Sequence, residues 1–217
     1  VPSAATQPRP IRTVHMNTAE QTLRSAGAET KRLLRPLLII LALMWIIEIA
    51  DWLLFNGALD GFGIVPRQLV GLRGIIVAPL LHGSFSHLAA NTIPFLALGL
   101  LVMLRHSRQF AAVSIIIVLV SGLGTWLFAP SYTVHIGASG LIFGYFAFLL
   151  VTAFYERSPG AIGLALLVFV FYGGLLWGAM PQGGAISWQG HLFGLVGGGL
   201  AAYTVAPRRI RIRIDPD

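Results

Sequence analysis

Four polar residues in apolar surroundings have the types that nucleophilic hydrolysis needs. Ser139 lies in Gly137-Ala138-Ser139-Gly140, His191 follows Gly190, and His87 and Asn91 are four residues apart. A serine hydroxyl becomes a nucleophile when a nearby base takes its proton, and neutral imidazole suits that role. On a helix, the i,i+4 spacing of His87 and Asn91 puts both hydrogen-bond donors on one face. If Ser139 opens a helix, its backbone N–H and the helix dipole both favour a developing oxyanion. Each motif alone is weak: Gly-x-Ser-Gly arises by chance in a chain with 25 glycines, and a single membrane asparagine is usually helix–helix glue. Zero cysteines exclude a cysteine nucleophile, a thiolate metal site and a disulfide.

The elements that position these residues follow from the charge pattern. The chain has 217 residues, 56% hydrophobic and only 11% charged, against about 25% charged in soluble domains. Such a chain cannot cover a water-facing surface, so the fold class is an all-α membrane protein. No Asp, Glu, Lys or Arg occurs in 74–104, 109–155 or 158–207. A spanning helix takes about 20 apolar residues. These runs therefore hold one, two and two spans, and 33–55 adds another that carries Glu48 and Asp51. The six are expected near 33–55, 86–105, 109–129, 138–155, 160–178 and 188–206, cut by Pro130, Ser158-Pro159-Gly160 and Pro181-Gln182-Gly183-Gly184. Glycines and prolines break 56–85, which reads as a large first outer loop at the membrane edge.

Three regions result: a flexible cytoplasmic N-terminal segment 1–32, a six-helix domain 33–206 and a basic cytoplasmic tail 207–217. Residues 1–30 are polar and read as disordered or weakly ordered, without the apolar run of a signal peptide. Of the 15 basic residues, 13 fall on one side of a six-span topology, with only Arg67 and Arg73 opposite. The positive-inside rule then places both termini in the cytoplasm. The net charge of +7 marks topology and the membrane surface rather than a nucleic-acid partner.

This topology brings the candidates together. The second, fourth and sixth spans all start on the outer side, and His87, Asn91, Ser139 and His191 lie only about 5–8 Å below those starts. Gly140 and Gly144, and Gly190, Gly194 and Gly198, form small-xxx-small faces that let two helices approach closely. If those faces meet, Ser139 and His191 come within hydrogen-bond reach.

His82-xxxx-His87-xxx-Asn91, Gly137-Ala-Ser139-Gly140 and Gly190-His191-xx-Gly194 resemble the signature motifs of rhomboid intramembrane serine proteases, on the second, fourth and sixth spans. The resemblance covers about residues 33–206 and implies a six-transmembrane-helix rhomboid-like bundle. It implies Ser139 as nucleophile and His191 as general base and then acid. His87, Asn91 and the Ser139 backbone N–H would bind the oxyanion. In supporting roles, Gly137 would leave room before the nucleophile and Gly190 would permit the contact between spans four and six. His82 would support the outer loop and its waters, and Phe143 would stack on the His191 ring. The substrates implied are single-span transmembrane proteins, cut where the helix unwinds near the outer face, with no cofactor and no metal. By analogy, span five and the loop 179–187 would move to admit substrate. The family's Trp-Arg pair in the first outer loop is not recognisable, since Arg67 and Arg73 have no neighbouring tryptophan.

Water would arrive through a polar mouth of His82, Ser84, Ser86, Ser187 and Gln189. Glu48 and Asp51 read as a structural pair orienting a loop, His135 as a loop residue bordering the mouth, and His15 and His106 as cytoplasmic surface residues. A zinc protease lacks His-Glu-x-x-His, and an aspartyl type lacks a second membrane aspartate. The alternatives are a non-proteolytic rhomboid-like binder of client helices or a histidine-lined metal or proton carrier. The location expected is a prokaryotic plasma membrane, with the site opening outward.

Overall fold

The computed structural model describes residues 14–182 and 187–205, with side chains described from Arg32 onward. Among them are eight α-helices: α1 Val14–Ala50, α2 Gly74–Val77, α3 Phe85–His106, α4 Phe110–Phe128, α5 Ser139–Glu156, α6 Pro159–Tyr172, α7 Leu175–Gly178 and α8 Trp188–Val205. The pairing of strand type is a single antiparallel bridge between Ile64 and His135. The basic tail 207–217 lies outside the described residues.

Local chemistry sets the boundaries. Ser84 caps α3, its Oγ accepting from the His87 N–H at 3.2 Å. Ser158 caps α6 in the same way, with Pro159 at the first helical position. After Ala50 the backbone widens into a π-turn, Asp51–Phe55, which stops at Asn56 in the left-handed region. Ahead of the first apolar stretch the backbone is helical from Val14 and runs into it unbroken. Residues 14–35 are rich in Ala, Leu, Glu, Gln, Lys and Arg, all strong helix formers, and the apolar helix ahead supplies the nucleus on which they propagate.

Among the described residues, four helices are long and apolar enough to cross a membrane: Arg32–Phe55, Phe85–His106, Phe110–Phe128 and Ser139–Glu156. The fifth apolar stretch is divided, with α6 ending before Gly173-Gly174 and α7 resuming for one turn. α8 has 18 residues, but Gln189, His191 and its glycines dilute its apolarity.

α5 is the central element: 61% of its span is buried, against 22% for the first span. Tyr145, Phe146 and Phe148 of α5 and Phe95 of α3 are almost wholly buried. The Tyr145 hydroxyl donates to Ser114 Oγ at 2.7 Å, because Ser114 spends its own proton on the Phe110 carbonyl. α8 packs directly on the α5 backbone. A Cβ at Gly194 would sit 2.3 Å from the Gly140 carbonyl oxygen, and one at Gly198 would sit 2.0 Å from that of Gly144. Only glycines permit this approach, and it brings the start of α8 beside the start of α5.

The segment 56–84 that precedes α3 is anchored from α4. The Arg67 guanidinium donates to the Leu127 and Ala129 carbonyls at 2.9 and 2.7 Å and to Ser131 Oγ at 2.6 Å. Trp126 Nε1 donates to the Gln68 carbonyl at 2.9 Å. Arg67 has no tryptophan beside it in sequence, but α4 supplies one in space. Arg73 lies over the Phe62 ring at 4.4 Å. Asp51 also orients this loop, its Oδ1 accepting from the Leu59 N–H at 3.0 Å.

His106 departs from the expected surface position. It is 5% exposed, set edge-on against Phe148 at 5.1 Å and 3.5 Å from Glu156. It is the last residue of α3, and Arg105 beside it pairs with Glu156 of α5. That ion pair draws the two helix ends together over the ring.

Candidate active site

The site lies where α3, α5 and α8 begin, at the opposite end of the bundle from the Arg105–Glu156 pair. Ser139 is the first residue of α5, so its backbone N–H has no acceptor within the helix and faces outward with the positive end of the dipole. Gly137 delivers it there. Its φ of +112° favours glycine, and a Cβ at this position would stand 2.8 Å from Cε1 of His87.

His191 lies one turn into α8. Its Nε2 is 2.8 Å from Ser139 Oγ, and its Nδ1 donates to the Gly178 carbonyl at 2.8 Å. The carbonyl can only accept, so the proton sits on Nδ1 and Nε2 is left to accept from the serine hydroxyl. Phe143, one turn along α5 from Ser139, stacks on the imidazole at 4.1 Å and 12°. The ring is thus held on its face by Phe143 and at one edge by a backbone carbonyl, without a carboxylate partner.

His87 and Asn91 lie on one face of α3 and line a 720 Å³ cavity together with Ser139 and His191. Asn91 is 8% exposed, and its Nδ2 has no hydrogen-bond partner among the described residues. A buried amide donor without an acceptor is costly unless a ligand completes it.

His82 and Gln189 were expected in a polar mouth, but both are buried, while Ser84 and Ser86 are exposed. His82 points inward because its Nε2 accepts from the Ala138 N–H at 3.4 Å, supporting the residue before Ser139. Burial, with His87 close by, pushes its pKa down to about 4, so the ring is neutral at pH 7. Gly140 meets α8 and α4 together: a Cβ there would lie 2.3 Å from Ser121 Oγ, which donates to the Gly190 carbonyl at 2.8 Å. A Cβ at Gly190 would crowd Ser187 and Thr125 at 3.1 and 3.3 Å.

Sequence reasoning missed three contributors: the Gly178 carbonyl, Ser121 and the Thr133–His135–Ser187 chain. A backbone acceptor leaves no mark in sequence. Ser121, however, lies inside a charge-free run, where a polar side chain is itself a signal. Among the described residues, no three His, Asp or Glu side chains are arranged to hold a metal ion.

A family model for the rhomboid domain matches residues 70–208, well over half of the chain. This chain belongs to the rhomboid family. The rhomboid is 47% identical over 182 residues to Mycobacterium tuberculosis (strain H37Rv) "Uncharacterized protein Rv1337", covering 80% of this chain and 75% of that one. It is 41% identical over 198 residues to Mycobacterium leprae "Uncharacterized protein ML1171", covering 83% and 77%. It is 29% identical over 139 residues to Bacillus subtilis "Putative rhomboid protease YdcA", covering 63% and 69%. With its apolar helices, the rhomboid is a multi-pass membrane protein.

Proposed function

We propose that this rhomboid is an intramembrane serine endopeptidase that hydrolyses peptide bonds in or beside the transmembrane segments of single-span proteins. The observation that carries the reading is the 2.8 Å contact between Ser139 Oγ and His191 Nε2, opening on a cavity that holds an unpartnered Asn91 amide. Ser139 Oγ attacks the scissile carbonyl while its proton passes to His191 Nε2. The oxyanion that forms is stabilised by the Ser139 N–H, Asn91 Nδ2 and His87. As the tetrahedral adduct collapses, the imidazolium returns its proton to the leaving amine. Water then repeats the sequence on the acyl-enzyme, with His191 again the base.

The Gly178 carbonyl does in part what a carboxylate does in other serine hydrolases. It holds the tautomer and lends partial negative charge to the imidazolium. A regular helix hides its peptide bonds, so a substrate helix unwinds locally to present one. In this reading α6 with α7 and α8 supply the fifth and sixth crossings. Both termini are cytoplasmic, by the distribution of basic residues, and the site opens on the outer face. A prokaryotic plasma membrane fits the mycobacterial and Bacillus relatives.

A fluorophosphonate probe tests this. Labelling at Ser139 that disappears in His191→Ala, with Ser139→Ala abolishing cleavage of a model single-span substrate, supports the protease. A folded, unlabelled wild type, or cleavage indifferent to Ser139→Ala, overturns it in favour of a non-proteolytic binder of client helices.

A further inference from the structure

His135 was expected only to border the mouth, yet both its backbone and its ring join separate segments around the site. Its backbone pairs with Ile64 of the first outer loop through two hydrogen bonds of 2.9 Å. Its Nε2 lies 2.7 Å from Thr133 Oγ1 and its Nδ1 lies 2.7 Å from Ser187 Oγ. The proton positions follow from the neighbours. Thr133 Oγ1 donates to the Pro130 carbonyl at 2.6 Å, so it accepts from Nε2–H, and Nδ1 is left to accept from the Ser187 hydroxyl. Burial lowers the pKa of this histidine below its ordinary value, in keeping with a neutral ring.

Ser187 immediately precedes α8. Its carbonyl accepts the His191 N–H at 3.2 Å, closing the first turn of the helix that carries the base. The His135–Ser187 and Ser139–His191 contacts each bridge 52 residues of sequence. The first is the second displaced four residues upstream on both strands of the contact. One side-chain link therefore ties the approach to the nucleophile to the approach to the base.

We propose that His135 is a positioning residue: its bond to Ser187 sets the axial and rotational register of α8 relative to α5, and so the alignment of His191 Nε2 on Ser139 Oγ. The proposal rests on the serine-hydrolase reading. His135 touches neither reacting atom. It acts through Ser187, and Thr133 holds its ring in the tautomer that can accept the Ser187 proton.

The test compares wild type with His135→Phe, His135→Asn, Ser187→Ala and the double variant His135→Phe/Ser187→Ala in detergent. Fluorophosphonate labelling rate, kcat and KM for a model single-span substrate, and thermal stability are read for each. Asparagine places Oδ1 near the position of imidazole Nδ1 and keeps an acceptor for Ser187, whereas phenylalanine fills the site without one. His135→Phe and Ser187→Ala should each lower kcat and labelling rate about tenfold, since small misplacements near a reacting pair are costly. KM should change less than about twofold, because substrate contacts remain. The double variant should be no worse than either single, and His135→Asn should recover to within about threefold of wild type, as expected for one shared link. Additive losses, wild-type labelling of His135→Phe, or an asparagine variant as slow as phenylalanine would each overturn the proposal. Should His135→Phe fail to fold, Ser187→Ala carries the same prediction alone. An unlabelled wild type would instead overturn the hydrolase reading itself.

Discussion

The Gly178 carbonyl accepts a hydrogen bond from His191 Nδ1 at 2.8 Å, and this contact decides which ring nitrogen faces Ser139. A backbone oxygen cannot be deleted by side-chain mutation.

Ser139→Ala and His191→Ala should each lower the rate of substrate cleavage by about 10⁴-fold or more, with little change in thermal stability. Their effects should not add, because the two act as a unit. Single-turnover cleavage of a model substrate in detergent measures this, and a single variant retaining a tenth of wild-type activity would contradict it.

Asn91 offers a buried donor with no partner among the described residues. Asn91→Ala should reduce kcat by about 10²-fold, in the range for loss of one oxyanion donor, while KM stays near wild type. A loss confined to KM would assign Asn91 to substrate binding instead.

Gly198 lies where an added Cβ would approach the Gly144 carbonyl at 2.0 Å, whereas Gly199 has nothing within 4 Å. Gly198→Ala should destabilise by about 1–3 kcal/mol through overpacking. Gly199→Ala should be neutral or gain up to about 1 kcal/mol from helix propensity. Thermal inactivation of the two variants side by side separates them. Equal behaviour would refute direct backbone packing of α8 on α5.

Arg67 joins the segment 56–84 to the end of α4 by three hydrogen bonds. Arg67→Gln should lower stability by about 1–2 kcal/mol, a net figure for exposed polar contacts. It should also raise protease sensitivity within 56–84. Unchanged limited-proteolysis patterns would show that the loop is held elsewhere.

Stability should fall as the medium is acidified. His82 has a folded-state pKa of about 4 against an ordinary 6.5, so the unfolded chain takes up this proton first. His135 shifts in the same direction, through burial. The loss therefore develops between pH 6.5 and about 4. Asp60 opposes it weakly at the acidic end, since desolvation and then Asp51 raise its carboxyl pKa and favour the protonated folded form there. Inactivation temperature against pH should decline across this window, and less steeply in His82→Gln. A flat wild-type profile would be inconsistent with a buried, neutral His82.

The sequence by itself determined the helices. Charge-free runs and their breakers locate each apolar stretch to within a few residues, because hydrocarbon tolerates almost no ionised group and every backbone polar group must be satisfied inside the helix. It also places the candidate residues within the first turns of their helices, since that follows from their positions and the rise per residue. It misjudged His106, where the pairing of Arg105 with Glu156 buries the ring.

Only the tertiary structure decided which polar groups meet. The Gly178 carbonyl, the Trp126 contact to the first outer loop and the His135–Ser187 link each join residues remote in sequence or use backbone atoms that every residue carries. Neither kind of contact has a local signature. Both depend on helices locked at van der Waals distance by Gly194 and Gly198, where displacement by a single methyl group is too much.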